Sequence, residues 1–367
     1  MDAAALTSAL VAIDSVNPSL VAGGAGEHEI ATFIAGWARE NGLEAELIEA
    51  APGRPSAVVR SRGSGGGKTL LLCGHIDTVT VEGMTIPPFE PRIDGDRLYG
   101  RGAYDMKAGV AVALLACREA ATLDLAGDVI VAAVADEEHA SLGVQKVLET
   151  VTADAAIVTE PTELELAIAH KGFVWAEIEV EGRAAHGSRP HLGEDAIVKA
   201  APVLAGIGAL DERLAERTHP LLGRGSVHAS TITGGEELSS YPARCAIGLE
   251  RRTLPGETAA DVEAEVAELA GGASWSTLLV REPFEIAAGE PLVAAVREAA
   301  ALATGRTPPI GGASYWADAA FIAAAGIPTV MFGPGGEGAH AAEEWVSIGD
   351  TEAVARTLVA AAMKLCA

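Results

Sequence analysis

The chain has 367 residues, 49% of them hydrophobic, with 42 glycines and 18 prolines. This length and composition indicate a globular α/β protein with two domains rather than a disordered chain. The formal net charge is −25, from 51 Asp and Glu against 26 Lys and Arg, and such a field disfavours binding to nucleic acids and anionic membrane surfaces.

Targeting signals and disulfides are not predicted. The first residues lack a basic segment followed by an apolar run, and no apolar stretch has the length of a membrane span. Four cysteines are scattered along the chain, and Cys73 and Cys117 lie within apolar runs, as is typical of reduced core thiols. We therefore expect a cytoplasmic protein with no membrane partner.

The first 172 residues predict strands that alternate with helices. An apolar stripe predicts a helix over 30–37, which Asn41-Gly42 ends. The elements that follow are apolar strands at 45–48, 57–60, 69–73, 128–135 and 155–159, with helices at 106–117 and 142–151. This order favours the α/β class, with a mostly parallel sheet flanked by helices.

The pattern changes at Phe173, where apolar and charged residues alternate as in a half-buried strand. The order strand, helix, strand, strand, helix, strand then predicts a ferredoxin-like α+β insert, with elements at 173–181, 195–214, 226–233, 245–252, 259–269 and 277–281. Helices at 291–303, 317–325 and 351–366 and a strand at 328–332 complete the chain. We assign 1–172 and 284–367 to one split domain and 173–283 to an inserted domain.

Imidazole and carboxylate side chains recur where predicted strands end. They are His75, Asp77, Asp105, Glu137, Glu138, Glu160 and His340. Any one of them alone would be read as a structural or solvated residue, but open α/β sheets place their sites at the carboxyl ends of strands. Two histidines and three carboxylates with no cysteine suit two Zn²⁺, Co²⁺ or Mn²⁺ ions.

Four segments resemble the family of acetylornithine deacetylase, succinyl-diaminopimelate desuccinylase and carboxypeptidase G, which are di-zinc metallopeptidases. The segments read Gly-His-Ile-Asp-Thr-Val at 74–79, Gly-Arg-Gly-Ala-Tyr-Asp-Met-Lys at 100–107, Asp-Glu-Glu at 136–138 and Thr-Glu-Pro-Thr at 159–162. The similarity extends in order over nearly the whole chain, including the insert. It implies a zinc-peptidase-like catalytic domain and a hydrolase that acts on linear amides.

The resemblance also implies roles for the site residues. His75 and Glu160 bind one metal ion, Glu138 and His340 bind the other, and Asp105 bridges the two. Asp77 orients His75, and the peptide bond after Asp105 is cis. Glu137 is the general base that takes a proton from the attacking water and passes it to the departing amine. We place Glu137 and Glu138 in an extended segment, where neighbouring side chains face opposite ways.

The insert carries two further candidates. The segment Arg-Ala-Ala-His-Gly-Ser-Arg-Pro at 183–190 resembles one whose histidine reaches the active site of the other subunit and stabilises the oxyanion. His186 therefore implies a catalytic homodimer, with the insert as its dimerisation domain. Arg252 matches an arginine that binds the substrate carboxylate, and Arg251 is the surface-facing alternative if the register is off by one.

Two departures from the family pattern bear on the substrate. The loop at 234–242 lacks the Asn of desuccinylases, and their Gly-Thr-Ser-Asp is replaced by a segment at 312–318 that ends in Asp318. Asp318 is similar to an acidic residue of acetylornithine deacetylases, or it is the N-terminal charge of the next helix. We therefore predict an acetylornithine deacetylase-like enzyme acting on an N-acyl amino acid or short peptide. The alternatives are a desuccinylase, a dipeptidase or carboxypeptidase, and a non-catalytic dimeric binding protein.

A competing motif is the P-loop-like run at 62–69, Arg-Gly-Ser-Gly-Gly-Gly-Lys-Thr. It has Arg62 at the position of the first required glycine, and a strand rather than a helix is predicted after it. We interpret it as a flexible hairpin turn and do not expect a nucleotide site.

Overall fold

The computed structural model describes the whole chain, Met1–Ala367, and divides it into two compact units. The first comprises Met1–Ile168, Ile286–Gly311 and Ala317–Ala367, and the second comprises Ala169–Glu285 and Gly312–Trp316. None of the helices combines the length and apolar character that crossing a bilayer requires.

A mixed sheet forms the centre of the first unit. Its strands lie in the spatial order Glu44–Ala51, Arg54–Ser61, Val129–Val134, Leu70–His75, Ala155–Val158, Thr329–Met331 and Leu166–His170. The strands from Val129–Val134 through Thr329–Met331 run parallel, and their outer neighbours are antiparallel. The predicted α/β class with a mostly parallel sheet is confirmed.

Both faces of this sheet are covered. Every residue of Leu70–His75 and Val129–Val134 is buried, although neighbouring side chains of a strand point to opposite faces. Helix Ala108–Ala120 is apolar nearly all round because it is also covered by other helices. The helices of this unit are Ala3–Val11, His28–Glu40, Ala108–Ala120, Leu142–Leu148, Pro291–Thr304, Ala319–Ala324 and Ile348–Leu365.

A small antiparallel sheet joins two distant parts of the first unit. Its strands are Gly336–Glu337, Trp345–Ser347, Arg97–Tyr99 and Arg92–Asp94, in that spatial order. The pairing of Trp345 with Tyr99 brings the loop that contains Asp105 next to the loop that contains His340.

The second unit contains a four-stranded antiparallel sheet in the order Ser226–Gly234, Arg244–Thr253, Gly172–Glu181 and Ser274–Arg281. Numbered along the chain, this order is 2-3-1-4, the ferredoxin-like arrangement. The helices are Ala196–Lys199, Ala201–Leu214 and Ala259–Ala270, so the predicted helix at 195–214 is two helices. Alternate residues of the central strand, Val174, Ala176, Ile178 and Val180, form the core with the helices.

The remaining short strands are Ala185–His186, Thr218–His219, Gly223–Arg224, Ser240–Tyr241, Phe284–Glu285 and Ile310–Ala313.

The structure corrects the interpretation of the run at 62–69. A strand, Leu70–His75, follows it, as predicted. The predicted hairpin is wrong, however, because Val129–Val134 lies between the strands Arg54–Ser61 and Leu70–His75. Gly63 and Gly67 instead approach the backbone of residues 126–127 so closely that a side chain would collide with it.

Candidate metal centre

Parallel strands bring most of the predicted site residues to one edge of the central sheet. His75 is the last residue of Leu70–His75, and the strands on either side of it end just before Glu137 and Glu160. Because neighbouring parallel strands end at the same edge, these side chains converge there.

Two groups of three side chains bring their ligand atoms within 4.8 Å of one another. The groups are His75, Asp105 and Glu160, and Asp105, Glu138 and His340. Asp105 belongs to both, since its Oδ1 lies 3.1 Å from Nε2 of His75 and its Oδ2 lies 3.3 Å from Nε2 of His340. One shared carboxylate between two donor groups is the arrangement of a two-ion centre.

Asp105 reaches this centre from the glycine-rich segment that the sequence places immediately before a helix. It does not follow a strand of the main sheet but lies in an irregular turn, Ala103–Lys107, just before helix Ala108–Ala120. Its peptide bond to Met106 is cis, as the family resemblance implies.

Asp77 contacts His75 through its backbone oxygen and, at a longer distance, through its carboxylate. Nδ1 of His75 lies 3.0 Å from the backbone oxygen of Asp77 but 3.6 Å from its carboxylate. The carboxylate also accepts the backbone N–H groups of Glu137 at 3.1 Å and Glu138 at 3.2 Å. The prediction that these two glutamates lie in an extended segment is wrong, because residues 137–140 form a turn after Asp136, whose φ is 70°.

The centre is rich in buried negative charge. Burial raises the pKa of Glu137 and of Glu160 well above the usual range, and the neighbouring carboxylates act in the same direction. Burial lowers the pKa of His75, but Asp105 and Asp77 outweigh it and raise that pKa well above its usual value. Hydrogen bonds to Asp105 and Glu138 raise the pKa of His340 to about 10.

These residues fit a pair of divalent cations. The ion pairs of Asp105, Glu137 and Glu138 go only to the two imidazoles, so the site holds more carboxylate than basic charge. Burying uncompensated carboxylates is costly, and cations would remove that cost. Nitrogen and oxygen donors without cysteine suit Zn²⁺, Co²⁺ or Mn²⁺.

Behind the centre lies a buried polar network that the sequence analysis missed. Nδ2 of Asn17 donates to Asp77 at 2.7 Å and to Asp136 at 3.0 Å, and its oxygen accepts from Arg54. The Arg54 guanidinium also contacts both oxygens of Glu27 and one oxygen of Asp136. This network fixes Asp77 and the turn that carries Glu137.

Replacing Arg54 by Met should lower the free energy of unfolding by about 3–5 kcal/mol, the usual cost of removing one partner of a buried ion pair. The reason is that Glu27 and Asp136, whose side chains are fully buried, would lose their cation. Arg62→Met is the matched control, because Arg62 pairs with Glu44 and Asp128 at the surface, and we expect it to change the free energy of unfolding far less. Equal denaturant midpoints for the two variants would contradict the prediction.

In the second unit, His186 has one ring nitrogen fixed as an acceptor. The backbone N–H of Ser188 donates to Nδ1 at 3.2 Å, and the Ser188 hydroxyl lies 2.8 Å from the same atom. When Nδ1 accepts, the neutral imidazole carries its proton on Nε2. The exposed His186 therefore offers Nε2–H as a hydrogen-bond donor.

Arg252 and Arg251 lie on opposite faces of the sheet in the second unit. Arg252 is on the face without helices, where it donates to Glu250 at 2.7 Å and its guanidinium carbon lies 5.0 Å from the centre of the Phe173 ring. The sequence analysis described Arg251 as surface-facing, and this is wrong. Arg251 is 1% exposed and pairs with Glu257 and Glu265. Of these two arginines, only Arg252 lies outside the core of the second unit.

Asp318 stands at the N-terminus of helix Ala319–Ala324 but does not cap it with its side chain. The residue is 2% exposed, and its charge contributes to the raised pKa of both Glu137 and Glu160, after burial. Asp318 is therefore part of the electrostatic surroundings of the metal centre.

Comparisons with known proteins agree with this geometry. The family model described as Peptidase family M20/M25/M40 matches residues 71–364. Acetylornithine deacetylase of Klebsiella pneumoniae (strain 342) is 32% identical over 273 residues, which cover 71% of this chain and 70% of that protein.

Two solved structures share the fold. The M20 family metallo-carboxypeptidase Sso-CP2 from Sulfolobus solfataricus has a TM-score of 0.81 at 19% identity, covering 100% of this chain and 99% of that one. The YXEP protein of Bacillus subtilis, a dinuclear metal binding peptidase of the M20 family, has a TM-score of 0.73 at 17% identity, covering 100% and 98%. The family predicted from the sequence motifs is confirmed: this chain is a metallohydrolase that belongs to peptidase family M20/M25/M40.

Proposed function

We propose that this chain is a two-metal amidohydrolase that removes the acyl group from an N-acyl amino acid and acts as a homodimer. The observation that carries the proposal is the pair of donor groups that share Asp105, with Glu137 beside them but outside both groups. The 32% identity to an acetylornithine deacetylase supports a deacylase over the peptidases, whose likeness is limited to the fold.

Each ion would have a set of three protein ligands. His75 and Glu160 would hold one ion, Glu138 and His340 the other, and Asp105 would hold both. Two such ions, when bound, would supply Lewis-acid polarisation of the amide carbonyl and would acidify water at neutral pH. The dinuclear metal binding ascribed to the Bacillus subtilis member supports two ions rather than one.

Glu137 is the proposed general base, which then acts as the general acid. Its Oε2 lies 4.0 Å from Nε2 of His75, and its side chain is 10% exposed. Burial, which raises the pKa of this carboxyl above its usual value, makes it a better proton acceptor. The carboxylate takes a proton from the attacking water and passes it to the nitrogen that leaves.

His186 supplies the hydrogen bond that the developing oxyanion needs. Its Nε2–H donates to the carbonyl oxygen as negative charge builds on that atom. Following the family resemblance, this histidine serves the active site of the partner subunit, so the dimer is the catalytic unit. Ser188 keeps the ring in the tautomer that can donate.

Hydrolysis assays on a small panel of substrates test the proposal. The metal-free protein is incubated with Zn²⁺, Co²⁺ or Mn²⁺ and with N-acetylornithine, N-succinyl-diaminopimelate or simple dipeptides. We expect metal-dependent release of the free amino acid, fastest from the acetylated substrate. Preferential cleavage of the succinylated substrate or of dipeptides would reassign the substrate, and metal-independent hydrolysis would refute the two-metal proposal.

Arg252→Ala should raise KM for N-acyl amino acids by about 10- to 100-fold, the loss of a hydrogen bond between charged groups. Arg252 is half-buried on the face of its sheet without helices, and its guanidinium can exchange Glu250 for a substrate carboxylate. The matched control is a substrate whose α-carboxylate is an amide, for which the variant and the wild type should have the same KM. An equal loss with both substrates would show that Arg252 does not recognise the carboxylate.

A further inference from the structure

Glu344 is a buried carboxylate that touches the backbone of the loop that contains Asp105. One of its oxygens accepts the N–H of Tyr104 at 2.9 Å and that of Asp105 at 3.0 Å. The other accepts the N–H of Gly102 at 3.0 Å and Nη1 of Arg101 at 2.8 Å. Three backbone N–H groups thus converge on one side chain, which is 1% exposed.

The convergence depends on the conformation of Gly102. Its φ is 76°, and a side chain there would lie 2.7 Å from Thr78. A left-handed residue turns neighbouring N–H groups toward the same point, which creates a concave site for an anionic oxygen. The loop that holds the shared ligand is therefore shaped around Glu344.

The same residues connect Asp105 to the loop that contains His340. Glu344 stands four positions after His340, and its own backbone oxygen accepts the N–H of Gly100 at 3.1 Å. Nη2 of Arg101 donates to the backbone oxygen of Ala341, the residue after His340, at 3.1 Å. One buried ion pair therefore joins the backbones of two metal-ligand loops that are far apart in sequence.

We propose that Glu344, together with Arg101, is a positioning residue that sets the separation of Asp105 and His340 and so the affinity of the ion that both would hold. The proposal rests on the proposed two-metal function. Asp105 would bind the ion through side-chain oxygens whose position follows its backbone, and Glu344 is the acceptor that fixes its backbone N–H. Partners behind metal ligands commonly contribute to affinity because they hold the ligands in a geometry ready to bind.

Glu344→Gln tests this inference, and Glu343→Gln is the matched control. Glu343 is adjacent in sequence but exposed. A glutamine at 344 keeps one acceptor oxygen but turns an amide NH₂ toward backbone N–H donors, so the bidentate contact is lost. Calorimetric titration of the metal-free protein with Co²⁺ should show binding weakened by about 10- to 100-fold in Glu344→Gln and unchanged in Glu343→Gln.

Further readouts separate positioning from a merely structural role. We expect the visible absorption of bound Co²⁺ to change in Glu344→Gln, because the ligand geometry changes. A lower melting temperature of the metal-free variant with wild-type Co²⁺ affinity and spectrum would overturn the inference. If Glu344→Gln does not fold, Arg101→Lys provides the test, because lysine keeps the ion pair with Glu344 but cannot also reach Ala341. Weaker Co²⁺ binding by Arg101→Lys supports the inference, and wild-type binding overturns it.

The wild-type titration distinguishes this inference from the function on which it rests. Wild-type protein that binds no Co²⁺ would refute the proposed two-metal function itself. Wild-type protein that binds Co²⁺ and hydrolyses substrate, with Glu344→Gln indistinguishable from it, would refute only the role of Glu344.

Discussion

Replacing Glu137 by Gln is expected to lower kcat by about 10³-fold or more, the range in which a general base contributes, while metal affinity stays near the wild-type value. The two side chains have the same shape, but an amide cannot take the proton of the attacking water. Glu137 belongs to neither donor group, so its loss leaves the proposed ligands in place. Turnover with saturating metal and metal content after dialysis are the two measurements.

The neighbouring glutamate provides the matched control. Glu138 lies 3.2 Å from His340 and belongs to the second donor group, so Glu138→Gln should lose metal as well as activity. Glu137→Gln should lose activity alone, and this contrast separates a base from a ligand at adjacent positions. Near-normal turnover in Glu137→Gln would rule out Glu137 as the base, and loss of metal from it would make Glu137 a ligand.

The edge at which the proposed ligands meet was predictable because strands that alternate with helices typically form a parallel sheet. Continuous apolar runs such as Leu70–His75 and Val129–Val134 indicate strands buried on both faces, and such strands are typically parallel. Once the strands are parallel, residues that follow them meet at one edge. That reasoning brings together His75, Glu138 and Glu160, whereas assigning each a role needed the family motifs.

Local backbone shape was less predictable, because residues distant in sequence determine it. The pair Glu137 and Glu138 is compatible with an extended segment, yet both N–H groups bind Asp77, 60 and 61 positions earlier. Asp105 likewise takes its conformation from Glu344, 239 positions later. Periodicity reports which face of an element is buried, but it carries no information on such long-range contacts.

The supporting residues behind the centre have no recognisable local pattern. Glu343 and Glu344 are identical neighbours, and only the folded chain shows that the first is exposed and the second is buried. Asn17 and Arg54 similarly resemble ordinary turn and strand residues in the sequence, although both contact the residues that support the centre. Polar residues of this kind are found by asking what satisfies each buried polar group, a question that requires coordinates.

The proposed dimer leads to the second large effect, restoration of activity by mixing two inactive variants. His186→Ala should lower kcat by about 10²- to 10³-fold, because the donor to the oxyanion is lost, and Glu137→Gln is inactive for a different reason. If His186 acts in the partner's active site, a dimer with one subunit of each kind has one complete site. That site combines Glu137 of the His186→Ala subunit with His186 of the Glu137→Gln subunit.

Random reassociation of equal amounts makes about half of the dimers mixed, and one of the two sites in each is complete, so the mixture should regain about one quarter of wild-type activity. Subunits carrying different affinity tags allow the mixed dimer to be purified and assayed alone, where about half of wild-type activity is expected. Each variant put through the same procedure with itself is the control and should stay inactive. A mixed dimer as inactive as its parents would place His186 in its own subunit's site, because neither site would then contain both residues. An active wild-type protein that sediments as a monomer would refute the shared site altogether, since the hydrogen bond from Nε2 to the oxyanion would have to form within one chain.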